Sequence, residues 1–464
     1  MAILIRSASY LVRAADRVEE DADVLVEGNR IAAVGRGLKA RGATVLDARG
    51  RALIPGLINA HTHLYQNLLK GLDDDLPLVA WCDRVLFPAA DIIHQDQWRW
   101  GDETIGYYWS SLGAIEMIKG GVTCCADMDL TMDSVFQAWL DAGLRGVAAV
   151  TLADRWIPEK LQRDPERLRA EALGYVERWH GAPDGSGLIR VALAPSTPFL
   201  ASPELLVWAA EQASRLGLGY QMHVAETRYE VERLQRETGR TPVGYLDSLG
   251  VLRQGFVAIH CVHLTAGDID ILRRRRAVVV HNPKSNLKLG SGVAPIPRLL
   301  AAGVPVALGT DGCASNDLLD MFEEMRAAAL LQKGLAEDPA ILAARDVFRM
   351  ATEHGALACG LDAGTIDQGR LADLVLVDLR RPHLVPVHNV VGTLVYAARA
   401  GDVETVIIDG RIVMRGRRLL TLPEEKIVAR ADELGRALYR RSRASDLCRP
   451  QTGDGGPPRR EREV

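Results

Sequence analysis

The chain has 464 residues and a formal charge of -4, with 56 Lys and Arg against 60 Asp and Glu, which argues against a polyanion such as DNA as its main partner. Apolar residues at 48% and charged residues at 25% exclude a mostly disordered chain. That length admits about three structural units, or one large α/β barrel with additions.

The first segment, MAILIRSASYLVRAADRVEE, meets acidic residues before any small-residue cleavage site, so no signal peptide is expected. Nowhere does an apolar run reach the roughly 18 residues of a membrane span, so no membrane partner is expected either. Residues 1–55 hold short β-like runs, AILIRSASYLV, DVLVEGNRIAAVG and TVLDARGRALIPG, each closed by Gly, Asn or charge. That punctuation predicts a small twisted sheet.

From 56 to 365, apolar runs alternate with helix-length amphipathic segments. The strand candidates are LINAHTH, GVTCCADM, RGVAAVTL, IRVALAPS, GYQMHVAE, FVAIHCVH, AVVVHNP and PVALGTDG. PELLVWAAEQASRLG and AGDIDILRRRR are examples of the helices between them. Eight strands in this alternation predict an α/β fold, a (β/α)8 TIM barrel.

Residues 366–421 return to the first style in DLVLVDL, TVIIDGRIVM and RGRRLL. Both end segments use a turn of related form, EGNR near residues 28–30 and Asp409-Gly410-Arg411. The two ends are therefore expected to build one discontinuous β-sandwich domain, with the barrel inserted between them. A helix is expected over 422–445, and the Gly-, Pro- and charge-rich tail 446–464 reads as disordered.

Barrel enzymes build their sites from the C-terminal ends of the strands and the loops that follow. His61 and His63 stand two apart at such an end, so both rings can face one metal. His223 ends GYQMH with Glu226 three residues on, His260 ends FVAIH, and Asp311 follows PVALGT. Singly, each has a structural reading: a capped loop, a core imidazole on a carbonyl, a turn aspartate. Jointly, with His281 as a fifth strand-end histidine among only 11, they predict a metal site.

Three imidazoles and a carboxylate suit one zinc ion, with iron the second choice. Such an ion brings the pKa of water towards about 7. Glu226 is placed to hand a proton to a substrate nitrogen, Asp311 to accept one, and His260 to orient the water.

Other polar groups take plainer readings. His263 is expected in a loop hydrogen bond, and Cys313 at a position that needs a small residue. His94, His180, His354, His383 and His388 read as surface or structural. Arg273 to Arg276 form a solvated helix end, and Asp73, Asp74 and Asp75 a solvated loop. Trp98, Trp100, Tyr107, Tyr108 and Trp109 read as barrel-helix core rather than a subunit contact. The seven cysteines, Cys82, Cys124, Cys125, Cys261, Cys313, Cys359 and Cys448, include no Cys-x-x-Cys pair, which fits a reduced cytoplasmic protein.

The segments PGLINAHTH (55–63), GVTCCADM (121–128), MHVAET (222–227), HCVHL (260–264), HNPKSNLKLGSGVAP (281–295), GTDGCASND (309–317) and GRLADLVLVDL (369–379) resemble the amidohydrolase superfamily in its aminohydrolase branch. HNPKSNLKLGSG, Leu76 to Trp81 and LDMFEEMRAAALLQK (319–333) are most similar to S-adenosylhomocysteine/5'-methylthioadenosine deaminases. HTHLYQNLLKG, and VETVIIDGRIVM before RRLLTLP, resemble s-triazine hydrolases; HTHLYQ is also similar to guanine and 8-oxoguanine deaminases.

The resemblance implies a single metal on His61, His63, His223 and Asp311, with Glu226 and His260 handling protons. It also implies Trp81, Gln66, Ser196 and His281 as substrate-binding candidates. The expected reaction is hydrolytic deamination of a small amino-substituted nitrogen heterocycle by a homodimer or homotetramer. The chain departs from the nucleoside deaminases at Ala90, where they carry a Glu that binds ribose hydroxyls, and at Pro195-Ser196, where they carry Pro-His. A sugar-free ring with loss of ammonia or chloride is therefore the alternative reaction, and a non-catalytic binding barrel the alternative of another class.

Overall fold

Two large sheets organise the chain, and the sequence explains the division: one is built from runs with turn punctuation, the other from runs separated by helices. The computed structural model describes residues 2–95, 99–100, 103–130, 133–182 and 185–444. The tail 446–464 and Trp98 lie outside the described residues, as does the Trp100 side chain.

Eight parallel strands form the barrel in sequence order: Leu57–Thr62, Val122–Asp129, Arg145–Leu152, Ile189–Pro195, Gly219–Val224, Val257–His260, Val278–His281 and Val306–Leu308. These match the eight expected runs. Several are buried along their whole length, as strands covered by helices outside and side chains inside must be. Small and branched residues fill the interior, among them Ile58, Cys124, Ala126, Ala192, Ile259 and Ala307.

The first and last strands meet through side chains and one backbone bond. Asn59 accepts from Thr310 N at 3.0 Å and donates to Thr310 Oγ1 at 2.8 Å. Just beyond, the Asp311 N–H donates to the His61 carbonyl at 3.0 Å.

The second sheet has nine strands drawn from both ends of the chain, Ala2–Pro55 and Leu374–Leu419, folded over a separate core that includes Ile5, Val24, Leu46 and Leu376. Arg51–Pro55 pairs antiparallel with Leu374–Asp378, which joins the two halves. The two related turns also meet: Asn29 Nδ2 donates to Asp409 Oδ1 at 3.2 Å. Buried Arg145 of the third barrel strand ties the sheets together by donating to Asp373 and Asp409. Helix Glu424–Ser442 then packs its Ile427, Leu434 and Leu438 back into the main core.

None of the described helices is long and apolar enough to cross a membrane. The six described cysteines are all free. Trp109 is fully buried, while the Tyr107 hydroxyl donates to Asp141.

Candidate active site

The strand ends deliver the chemistry to one mouth of the barrel. His61 comes from the first strand and His63 from just past its end, His223 from the fifth, His260 from the sixth, and Asp311 from the loop after the eighth. The chain bends sharply at these ends: Ala225, His260 and Asp311 have φ of 53°, 71° and 61°. Non-glycine residues seldom adopt this left-handed region, and such strain concentrates where a side chain must be re-aimed.

The result is a tight cluster. His223 Nε2 lies 3.3 Å from Nε2 of both His61 and His63. Asp311 Oδ1 lies 3.4 Å from the same two nitrogens. Two of the three rings have their other nitrogen occupied, because a carbonyl oxygen can only accept. His223 Nδ1 donates to Ser196 O at 2.7 Å and His63 Nδ1 to Met128 O. Their Nε2 lone pairs therefore point at one another and at His61. Ligand bonds of about 2.0–2.1 Å in a tetrahedral site put donor atoms about 3.3 Å apart, so a divalent ion fits the spacing and relieves the repulsion.

The electrostatics agree. Burial pushes the His61 imidazole down to about 3 and holds His63 and His223 below their ordinary value, so these rings stay neutral, as ligands must be. Burial alone would raise the Asp311 carboxyl, but the neighbouring His61, His260 and His63 outweigh it and keep it well below the usual range. Burial holds the Glu226 carboxyl above its usual value. For His260 burial opposes the charged ring, yet Glu226, Asp311 and Asn286 prevail and its pKa is raised. His260 Nε2 stands 3.6 Å from Glu226 Oε2.

A ring of supporting groups fixes these side chains. Ser285 Oγ donates to Asp311 Oδ2 at 2.5 Å, and Asn286 Oδ1 lies 2.8 Å from His260 Nδ1. Both come from the short helix Pro283–Lys288. Asp127 and Asp129, at the end of the second strand, accept from the backbone N–H of Leu64 and Tyr65 at 2.9 and 2.7 Å. Glu230 does the same for Ala225 and Glu226 at 2.8 and 3.0 Å. Sequence reasoning passed over all of these. Ser285 and Asn286, in HNPKSN, and Asp127, in GVTCCADM, carry a signal through resemblance alone.

The cluster opens into a cavity of about 350 Å³ walled by His63, His223, Glu226, His260 and Asp311 on one side. Of the substrate-binding candidates, Trp81, Gln66 and Ser196 line it. His281 does not: it is fully buried, with no hydrogen-bond partner for either ring nitrogen among the described residues. Gln66 lies directly over Gly312, where a Cβ would come within 1.8 Å of its Oε1. Leu78, Leu86, Phe87, Ile157 and Phe199 make the outer wall largely apolar. At the rim the Arg233 guanidinium stacks 3.5 Å from the Trp156 ring. A side chamber of about 180 Å³ adjoins the main cavity, sharing Tyr65, Phe87 and Asp129, and there Ala90 forms part of the wall.

His263 Nε2 takes the expected loop hydrogen bond, to Ser291 O at 2.8 Å, and Arg273 and Arg274 pair with Asp270. Asp73 is less solvated than expected, its side chain 13% exposed and paired with Arg84 and Arg443.

Residues 52–413 match the profile of the amidohydrolase family. Over 445 residues, 95% of this chain and 99% of the relative, the sequence is 41% identical to a 5-methylthioadenosine/S-adenosylhomocysteine deaminase of Pelotomaculum thermopropionicum. It is 46% identical to a 5'-deoxyadenosine deaminase of Methanothermobacter thermautotrophicus over 88% of this chain and 93% of that one. A zinc-bound adenosine deaminase of Xanthomonas campestris superposes with a TM-score of 0.86 at 34% identity, covering 96% of this chain and 99% of the other.

Proposed function

The chain belongs to the amidohydrolase family, and from that premise we propose that it is a metal-dependent deaminase releasing ammonia from an adenosine-type heterocycle. One observation carries the reading: three imidazole nitrogens and a carboxylate oxygen converge at 3.3–3.4 Å beside a buried glutamic acid.

His61, His63, His223 and Asp311 would hold one divalent ion, zinc by analogy with the Xanthomonas campestris enzyme and iron as the second choice. When bound, that ion supplies Lewis acidity that makes water a nucleophile near neutral pH. Every other step falls to the chain's own groups. His260 presents Nε2 to the attacking water and sets its direction. Asp311, ionised across the neutral range, accepts a proton from it. Glu226, its carboxyl held up by burial, protonates the ring nitrogen beside the carbon that carries the amino group. Water adds to that carbon, the proton taken by Asp311 passes to the amino nitrogen, the adduct's hydroxyl returns its proton to Glu226, and ammonia leaves to give the ring ketone. Trp81, Gln66 and Ser196 line the space where the ring would lie. The free cysteines support a cytoplasmic setting, and a homo-oligomer remains the expected assembly.

The test is ammonia release from S-adenosylhomocysteine, methylthioadenosine, 5'-deoxyadenosine, guanine and melamine by enzyme loaded with Zn²⁺ or Fe²⁺. Turnover of a nucleoside is expected, falling about 10²- to 10⁴-fold in Glu226→Gln. Activity on guanine or melamine alone would move the substrate to a sugar-free ring. Chloride release from a chlorinated triazine without ammonia from any compound would make it a dechlorinase. Metal content far below one equivalent with no turnover would leave a binding barrel.

A further inference from the structure

Glu226 lies in the short link Ala225 to Thr227, between the fifth barrel strand, Gly219–Val224, and helix Arg228–Thr238. One buried carboxylate holds the backbone of this link. Glu230, 2% exposed, accepts from Ala225 N–H with Oε1 at 2.8 Å and from Glu226 N–H with Oε2 at 3.0 Å.

This is more than helix capping. Thr227 caps helix Arg228–Thr238 by accepting from Glu230 N at 3.2 Å. In an ordinary capping box the glutamate returns the bond to the N–H of the cap residue itself. Here the carboxylate reaches past Thr227 and takes the two preceding amides, one of them in the left-handed turn at Ala225. The same loop is tied from the other side, where Cys261 N donates to Val224 O at 3.0 Å and His263 N to Ala225 O at 2.9 Å. The segment carrying Glu226 is thereby locked to the segment carrying His260.

No Lys or Arg pairs with Glu230 among the described residues. Burial without a cation pushes this carboxyl up to about 8, and the two backbone donors oppose that shift by favouring the ionised form that accepts from both.

We propose that Glu230 is a positioning residue: by filling the paired amides of Ala225 and Glu226 it fixes the direction in which Glu226 delivers its proton. It borders the cavity, but both its oxygens are taken by the Ala225 and Glu226 amides, so it acts through Glu226. The carboxamide of Glu230→Gln sets an NH₂ against one of the two N–H groups, and the shorter Glu230→Asp reaches at most one of them.

The proposal rests on the deaminase reading for its kinetic arm only. Hydrogen exchange of the amides at Ala225 and Glu226 in metal-loaded Glu230→Gln and Glu230→Asp is expected to quicken at least about tenfold. In the same variants kcat is expected to fall about 10- to 100-fold, the range for groups that orient a reacting residue, with KM within about threefold and metal content unchanged. Unchanged exchange, or unchanged kcat with only a lower Tm, would overturn the proposal. So would loss of metal in step with activity, because Glu230 would then act through His223. If the wild-type protein releases no ammonia from any nucleoside, the deaminase reading fails, while the exchange result still decides whether the carboxylate braces this loop.

Discussion

Asn286 holds His260 by its far nitrogen, Oδ1 to Nδ1 at 2.8 Å, and so leaves Nε2 to face Glu226. A side-chain carbonyl can only accept, which puts a proton on Nδ1 and decides which nitrogen works at the mouth of the barrel.

Asn286→Ala is expected to lower kcat/KM about 10- to 100-fold, the usual cost of removing a group that orients a catalytic imidazole. Metal stoichiometry should stay at the wild-type value. A paired measurement of ammonia release and bound metal checks this, and wild-type kcat/KM would show that His260 keeps its orientation without the amide.

Ala90 walls the side chamber next to Phe87 and brings no carboxylate to receive a diol, although Asp129 and Glu171 line the same chamber. Ala90→Glu is expected to raise kcat/KM for nucleosides with a 2',3'-diol about 10- to 100-fold over their dideoxy counterparts, since a charge-assisted hydrogen bond contributes about 1.5–3 kcal/mol. Steady-state comparison of matched pairs in variant and parent reads this directly. An equal change for both members of a pair would remove the diol from the account.

Stability should decline as pH rises from about 5 towards 8. Burial pushes the carboxyls of Glu324 and Glu230 up to about 8 and that of Asp129 to about 7. A folded pKa raised above the unfolded one contributes stability that is full below the unfolded value and lost as pH rises through the folded value. These groups therefore weaken the fold between about pH 4.5 and 8. Burial depresses His281 to about 3, which has the opposite effect below about pH 6.5, where only the unfolded ring binds its proton. Tm measured from pH 5 to 9 should fall on the alkaline side. Glu324→Gln should lessen that fall while matching the parent near pH 5. Parallel curves for the two proteins would show that Glu324 does not titrate in this window.

Metal dependence has its own signature. His223→Ala should drop bound metal from about one equivalent to well below half, because three protein ligands hold divalent ions more weakly than four. In the parent, removing the ion with a chelator should lower Tm, and adding Zn²⁺ should restore it, by mass action on the folded state. Scanning calorimetry with metal analysis measures both, and a Tm indifferent to chelation would argue against a structural contribution from the ion.

The parts of the fold legible in the sequence were the local ones. Each barrel strand announces itself as a short apolar run between turn signals, and a His or Asp just past such a run needs no tertiary information to be noticed. His-x-His at 61 and 63 is visible because the two-residue period of a strand is local. Glu230 and Asp129 are silent because their work is to receive backbone N–H groups, and no residue pattern marks which amides a fold will leave without partners. His281 misled for a related reason. It stands at a strand end like the others, yet its ring is sealed inside the barrel, and which way a strand-end side chain turns is settled by the neighbouring strands.

The hydrogen bond from Asp311 N to the His61 carbonyl closes the cylinder between its first and last staves, and those same two residues are candidate grips on the ion. An ion seated there works as a rivet across the join as well as a reagent. Depleted enzyme should then gape first along this line, giving proteases access near residues 57–63 and 306–312 before the nine-stranded sheet yields. Holding the catalyst together and running its chemistry would be one task for one atom.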